Sequence, residues 1–258
     1  MQDLRITTVQ SELVWEDIDA NLQQFSRKLS DLGGKTDLII LPEMFTTGFT
    51  MQPAASAEKP DGKTTKWLAA QAADLSAVIT GSIIIEENGK YYNRLLWMQP
   101  DGTYTYYDKR HLFTLAGEHE YYTAGTKILL AEIKGWKVCP LICYDLRFPV
   151  WSRNAFDYDL LLYVANWPIS RSHHWKSLLT ARAIENQSYT IGVNRTGKDA
   201  NDYLYSGDSS IMDYAGNILH QTANKEDVFT LLLSYAEQRA FREKLNFLPD
   251  RDVFSIQI

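Results

Sequence analysis

The 258-residue sequence has only two cysteines and no hydrophobic run that could cross a bilayer. Its longest apolar run, residues 160–167, is far shorter than the roughly 20 residues that a transmembrane helix needs. The segment from Met1 to Ile6 lacks the basic region and the long apolar core of a signal peptide. These absences predict a cytoplasmic protein with no membrane partner.

Positive charge is also scarce. Lys and Arg total 26 against 32 Asp and Glu, which gives a formal net charge of -6 and an isoelectric point near 5.4. No cluster of Lys and Arg interrupts this balance. Because binding of nucleic-acid phosphates needs clustered cations, we expect no nucleic-acid partner.

No Pro/Gly-rich linker or low-complexity tract divides the chain, so we expect one domain over residues 1–258. Alternating apolar patterns predict a fold of the α/β class. The predicted helices cover residues 17–32, 63–75, 175–186 and 237–246. The predicted strands cover residues 5–10, 37–41, 77–86, 91–99, 103–107, 136–143, 160–165, 189–194, 209–213 and 217–221.

The two cysteines, Cys139 and Cys143, lie four residues apart on one predicted strand. Their Cα atoms should therefore be about 13 Å apart, beyond the roughly 7 Å that a disulfide spans, so both are expected to be thiols. Cys139 is flanked by Val138 and Pro140 and is interpreted as a core residue. Cys143 ends the strand, where α/β sheets place reactive groups. It is a candidate nucleophile, with a buried packing cysteine as the alternative.

Two further ionisable residues follow predicted strands. Glu43 comes after the apolar run from Leu38 to Leu41, and Lys109 follows the aromatic pair Tyr106-Tyr107. The ordinary alternatives are a solvated loop glutamate and a surface lysine.

These segments together resemble the nitrilase superfamily of carbon-nitrogen hydrolases. The three matching signatures are Leu41-Pro42-Glu43, Tyr107-Asp108-Lys109-Arg110-His111-Leu112-Phe113 and Leu141-Ile142-Cys143-Tyr144-Asp145-Leu146-Arg147-Phe148-Pro149. Supporting matches are Ala165-Asn166-Trp167-Pro168, Ala181-Arg182-Ala183-Ile184-Glu185-Asn186-Gln187 and Val193-Asn194-Arg195-Thr196-Gly197. The segments occur in the family's order, and the resemblance extends from Arg5 to about Asn217.

The resemblance implies a four-layer αββα sandwich and a Glu-Lys-Cys triad at Glu43, Lys109 and Cys143, with no metal and no cofactor. Cys143 would attack an amide carbonyl, and Glu43 would act as general base. Lys109 would lower the pKa of Cys143 and, with the backbone N–H of Tyr144, stabilise the oxyanion. The family's second glutamate could be Glu118 or Glu120, and the distance from the turn glycine at position 125 favours Glu118.

The lysine and tryptophan segments are most similar to those of bacterial omega-amidases, which hydrolyse the terminal amide of monoamides such as 2-oxoglutaramate and succinamate. A free carboxylate on the substrate calls for an arginine. Arg147 is the first candidate, with a structural salt bridge to Asp145 as its alternative. Arg171 and Arg195 are further candidates, each equally compatible with a surface or helix-capping role. Trp167 is expected to wall the pocket or to lie in the core.

Several alternatives remain open at the level of sequence. Within the family, the substrate could instead be deaminated glutathione, another small aliphatic amide or a nitrile. Outside enzymology, the chain could be a non-catalytic oligomeric scaffold that binds a metabolite, although all three triad residues are present. The five histidines show no metal-ligand spacing with the cysteines.

A homodimer is expected by resemblance to the family. The C-terminal tail, residues 240–258, alternates apolar and polar residues near its end. Such a tail could add a strand, pack on a partner subunit or fold back on its own chain.

Overall fold

The computed structural model describes residues 2–256 and contains two packed β-sheets with helices on their outer faces. The strands are β1 (Leu4–Gln10), β2 (Leu38–Ile40), β3 (Val78–Glu87), β4 (Lys90–Met98), β5 (Tyr104–Asp108), β6 (Ala131–Ile133), β7 (Trp136–Ile142), β8 (Leu160–Ala165), β9 (Tyr189–Asn194), β10 (Thr196–Lys198), β11 (Leu204–Met212), β12 (Ile218–Ala223) and β13 (Asp227–Leu233). The helices are α1 (Ile18–Leu29), α2 (Pro53–Ser56), α3 (Lys63–Leu75), α4 (Glu118–Tyr121), α5 (Ser172–Asn186) and α6 (Tyr235–Lys244). Across the described residues, no helix is long and apolar enough to span a membrane.

Each sheet has three parallel strands at its centre. The first sheet has the order β13-β1-β2-β3-β4-β5, and β1, β2 and β3 run parallel. The second has the order β10-β11-β9-β8-β7-β6, with β12 added beside β11, and β7, β8 and β9 run parallel. Parallel strands bring their carboxyl ends to one edge, so residues that follow β2, β7 and β8 can meet there.

Opposite faces of the first sheet pack in different cores. Leu4 and Ile6 of β1 join a buried cluster with the second sheet, whereas Val9 of the same strand packs with Phe25 of α1 and Leu68 of α3. This alternation follows from the two-residue period of a strand. Helix α5 covers the outer face of the second sheet, so the predicted four-layer αββα sandwich is confirmed.

Helix α5 lies very close to β9 because residue 192 is a glycine. A Cβ atom at Gly192 would lie 2.5 Å from side-chain atoms of both Leu179 and Trp175. The absence of that atom lets the helix rest directly on the strand. The close packing fixes the start of α5, which borders the site described below.

Most predicted elements are observed, and α3, β8 and β9 have the predicted bounds. The predicted strand over 136–143 ends one residue earlier, because Cys143 starts a 3₁₀ turn. Strands β6, β10 and β13 were missed. The tail forms no strand over residues 251–256; Phe254 and Ile256 line a groove with Trp151 and Phe156 of the same chain. The last two residues of the tail lie outside the described part.

Candidate active site

Glu43 is held by donors on both carboxylate oxygens. It follows β2 and is fully buried. Asn93 Nδ2 and Lys109 Nζ donate to Oε1 at 2.8 and 3.0 Å, and the backbone N–H of Asn166 donates to Oε2 at 2.7 Å. The next residue, Met44, has a φ of 42°, which turns the chain sharply at this point. A buried carboxylate so fixed is a well-placed proton acceptor.

Lys109 lies between two carboxylates. Its Nζ is 3.0 Å from Glu43 Oε1 and 2.9 Å from Glu118 Oε2, and the side chain is 1% exposed. Burial alone would lower the pKa of Lys109, but the negative charges of Glu118 and Glu43 raise it above its usual value. The group is therefore an ammonium ion at neutral pH.

Glu118 occupies the position that the family resemblance gave to the second glutamate. It begins α4, is fully buried, and accepts the backbone N–H of Phe113 at 2.5 Å. Burial raises the pKa of Glu118, and the charge of Lys109 partly offsets that increase. Glu120, by contrast, is exposed, so of the two candidates Glu118 is the one that contacts Lys109.

Gly125 is needed for the position of Lys109. A Cβ atom at this residue would lie 2.1 Å from the backbone oxygen of Asp108. The Gly125 N–H donates to the Lys109 carbonyl at 2.9 Å. A larger residue would push the two backbones apart and displace the lysine.

Cys143 is the first residue of the 3₁₀ turn Cys143–Arg147, directly after β7. Its φ of 45° lies in the left-handed region, which costs a non-glycine residue on the order of 1–3 kcal/mol. The strained turn leaves the side chain partly exposed on the cavity that Lys109 also lines. Cys139, four residues earlier, is 1% exposed in the core, as predicted.

Lys109 does lower the pKa of Cys143, as expected, but this effect does not set the net direction of the shift. Burial and the negative charge of Glu43 raise the pKa of this thiol well above its usual value, and Lys109 offsets only part of the increase. The resting group is therefore a protonated thiol.

Asp145 holds the nucleophile turn against the lysine segment, a role that sequence analysis missed. Its carboxylate is fully buried and accepts the backbone N–H groups of Ile142 and His111, both at 3.0 Å. The Tyr107 hydroxyl donates to it at 2.8 Å, and His111 Nδ1 lies 2.8 Å away. The sequence feature that could have identified Asp145 is its position two residues after Cys143 in the same signature segment.

Asn166 and Asn194 fix another wall of the site. Asn166 Nδ2 donates to the Glu43 carbonyl at 2.6 Å, in addition to the backbone contact described above. The Asn194 side chain accepts the Trp167 N–H at 2.8 Å and donates to the Trp167 carbonyl at 2.9 Å. Both asparagines lie in supporting motifs, whereas Asn93 lies in none.

Lys109 and Cys143 of the triad line a cavity of about 430 Å³. Cys143, Tyr144 and Trp167 line it, as do Arg147 and Arg171. Trp167 is 3% exposed, so it is both a wall of the cavity and a core residue. The volume suits a small substrate.

The three candidate arginines differ in their surroundings. Arg147 makes no salt bridge with Asp145, whose oxygens are occupied elsewhere; it lies over the Trp167 ring, 4.7 Å from its centroid. Arg171 lines the cavity just before α5. Arg195, a further candidate for the substrate carboxylate with a surface or helix-capping role as its alternative, is 1% exposed and donates to the backbone carbonyls of Leu13 and Thr196. Arg195 is therefore a core residue.

Comparison with known proteins agrees with this geometry. The sequence matches the carbon-nitrogen hydrolase family over residues 5–243. The chain belongs to that family, within the nitrilase superfamily. This carbon-nitrogen hydrolase is 48% identical over 257 residues to the omega-amidase YafV of Escherichia coli (strain K12), covering 99% of this chain and 100% of that protein. It is 34% identical over 219 residues to a 2-oxoglutaramate amidase of Bacillus subtilis (strain 168), covering 83% and 84% of the two chains.

Solved structures give the same family. A CN-hydrolase superfamily protein of Xanthomonas campestris superposes with a TM-score of 0.98 at 44% identity over 100% of both chains; that protein carries an arsenic adduct in its active site. Nit3 of Saccharomyces cerevisiae, 24% identical, shares the fold with a TM-score of 0.86 over 95% of this chain and 94% of its own. Together with the family match and the amidase relatives above, this makes the protein a hydrolase that acts on carbon–nitrogen bonds.

Proposed function

We propose that the enzyme hydrolyses the terminal amide of small dicarboxylic monoamides, such as 2-oxoglutaramate and succinamate, to the acid and ammonia. One observation carries the proposal. Lys109 and the strained Cys143 line the cavity, with Glu43 buried against Lys109, and the cavity also holds Arg147, which has no acidic partner among residues 2–256. The first group is suited to attack on an amide, and the second to a carboxylate at the other end of the substrate.

The first half-reaction forms a thioester. Glu43 takes the thiol proton of Cys143 as Sγ attacks the amide carbon. The thiol therefore needs to lose its proton only during the attack. The carbonyl oxygen becomes an oxyanion, which Lys109 and the Tyr144 N–H stabilise. Glu43 then returns the proton to the amide nitrogen, the carbon–nitrogen bond breaks, and ammonia leaves.

The second half-reaction releases the acid. Glu43 takes a proton from a water molecule, whose oxygen attacks the thioester carbon. The same oxyanion contacts stabilise the second tetrahedral intermediate. When that intermediate collapses, the carbon–sulfur bond breaks, the proton returns to Cys143, and the free carboxylic acid departs.

Glu118 keeps Lys109 in place throughout. Both of its oxygens lie within 3.0 Å of Nζ, and the Phe113 N–H fixes the carboxylate itself. Lys109 therefore retains one anionic partner when Glu43 becomes protonated. A buried ammonium ion with no such partner would tend to lose its proton.

An ammonia-release assay tests the substrate class. The substrates are 2-oxoglutaramate, succinamate, deaminated glutathione, the neutral amide butyramide and an aliphatic nitrile at matched concentration. We expect the first two to give the highest kcat/KM. A thousandfold preference for butyramide over both carboxylated monoamides would contradict the proposal, since a desolvated arginine left without its anion disfavours neutral substrates.

A further inference from the structure

Two arginines at the rim of the cavity lack anionic partners. Among residues 2–256, neither Arg147 nor Arg171 forms a salt bridge, and the polar contact of the Arg147 guanidinium is with His174 Nδ1 at 3.1 Å. The Arg171 guanidinium donates to no group in the described part of the chain. Two partly exposed guanidinium groups without acidic partners on one cavity are well suited to bind an anion that the substrate supplies.

Each guanidinium is held by an aromatic ring. Arg147 lies 4.7 Å from the centroid of Trp167, and Arg171 lies 5.3 Å from that of Phe113. Trp167 Nε1 also donates to the Arg171 carbonyl at 2.8 Å, which ties the two arginines to one tryptophan. Contact with a ring face orients a guanidinium and leaves the N–H groups at its edge free to donate.

Among residues 2–256, Asp199 is the one acidic residue that lines the cavity, and its carboxylate already accepts hydrogen bonds from the chain. Asp199 Oδ1 accepts the backbone N–H groups of Asn201 and Tyr203 at 2.9 and 3.0 Å, and Oδ2 accepts the Tyr205 hydroxyl at 2.8 Å. Its carboxylate is thus used to shape the loop at the rim rather than to neutralise the arginines. The free cavity is left with a net positive rim.

The two arginines also act on each other. Burial and then the positive charge of Arg171 lower the pKa of Arg147. Two like charges so placed repel, and a bound anion removes that repulsion as well as forming hydrogen bonds. An anion therefore gains more from the pair than from either arginine alone.

We propose that Arg171 is a substrate-binding residue, and that it and Arg147 form a two-arginine clamp on the free carboxylate of the substrate. The inference rests on the proposed function and extends it to a second specificity-determining side chain. A carboxylate has about four lone-pair sites, enough to accept N–H groups from two guanidinium forks. The clamp would hold the far end of the substrate while Cys143 attacks its amide.

The test compares two substrates that differ only in this end. Succinamate carries a carboxylate where butyramide carries a methyl group. In Arg171→Gln we expect kcat/KM for succinamate to fall about 10- to 100-fold, mainly through KM, because a charge-assisted hydrogen bond is lost. Butyramide should be hydrolysed as before. Arg171→Lys keeps the positive charge but loses the planar guanidinium donors. Its kcat/KM for succinamate should therefore lie between those of the wild type and Arg171→Gln.

Lys198→Gln is the matched control, because Lys198 is an exposed cation near the rim that pairs with Asp202 and does not line the cavity. The clamp is overturned if Arg171→Gln leaves the succinamate-to-butyramide ratio unchanged, or if Lys198→Gln lowers that ratio equally. A wild-type enzyme with no preference for succinamate over butyramide would instead overturn the proposed function. The two failures are therefore distinguishable.

Discussion

Charges are paired differently in two parts of the site. The floor is Lys109 and Cys143 with Glu43 and Glu118 buried behind the lysine, and the rim is Arg147 and Arg171. On the floor, Glu43, Lys109 and Glu118 are at most 1% exposed, and each charge has a partner within 3.0 Å. At the rim, Arg147 and Arg171 are partly exposed and lack acidic partners in the described chain. The floor is complete before substrate arrives, whereas the proposed clamp at the rim would be completed by the carboxylate of the substrate. On this proposal, the catalytic groups are preorganised and recognition depends on the unpaired charge of the two arginines.

This difference has a kinetic consequence. Substitutions on the floor should lower kcat, because they remove interactions that act in the transition state. Substitutions at the rim should raise KM for carboxylated substrates, because they remove ground-state binding. The following predictions test that division from the largest expected effect to the smallest.

Among the residues that assist the nucleophile, loss of the general base should have the largest effect. Glu43→Gln keeps the size of the side chain but cannot accept the Cys143 proton, so we expect kcat for ammonia release to fall about 10²- to 10⁴-fold. KM should change little. Glu120→Gln, at an exposed acid on the same helix as Glu118, is the control and should retain wild-type kcat. Equal losses in the two variants would refute the assignment of Glu43.

Removal of the buried ammonium should affect both rate and stability. Lys109→Met removes an oxyanion donor, at a cost of about 3 kcal/mol of barrier. It also leaves Glu43 and Glu118 buried without their shared cation, so unfolding in urea should show a loss of about 3–5 kcal/mol. Full stability in this variant would mean that the buried ion pair does not hold the floor together.

Asp145→Asn tests whether the floor depends on a residue that does not touch substrate. An amide cannot accept from all the donors that surround Asp145, so the turn at Cys143 should loosen. We expect kcat to fall about 10- to 100-fold with KM nearly unchanged, measured per folded enzyme. A rise in KM with unchanged kcat would argue against a role in positioning Cys143.

The smallest effect concerns pH and Cys143. The unfolded thiol ionises near pH 8.5, about its ordinary pKa, while burial and Glu43 raise the native pKa well above that. Above about pH 8.5 the unfolded chain loses this proton before the native one, so stability falls as pH rises; below that pH the group has no effect. Cys143→Ser should make the decline shallower by up to about 1.4 kcal/mol per pH unit. Parallel stability curves for wild type and variant would contradict the raised pKa.

The sequence was sufficient for the catalytic candidates because each lies in a local motif at the end of a strand. The predicted bounds of α3, β8 and β9 were correct because their apolar patterns are uninterrupted. Strand β13 was missed although residues 228–233 form a mostly apolar run typical of a strand. Its pairing with β1 joins residues more than 200 positions apart, which no local pattern predicts.

Other properties depended on distances that no motif contains. Asp145 and Arg147 are two residues apart, yet the 3₁₀ turn places one in the core and the other on the cavity. The sign of the Cys143 pKa shift depends on whether Lys109 or burial with Glu43 dominates. The sequence was enough to identify these residues, but their burial and the relative strengths of their interactions required the structure.

The central claim is that Cys143, and not its strand neighbour Cys139, forms the acyl-enzyme. It is tested most directly by ammonia release from succinamate in Cys143→Ala and Cys139→Ala, measured per folded enzyme. We expect Cys143→Ala to lose activity entirely, while Cys139→Ala keeps it despite a cavity in the core. Wild-type ammonia release by Cys143→Ala would contradict the account.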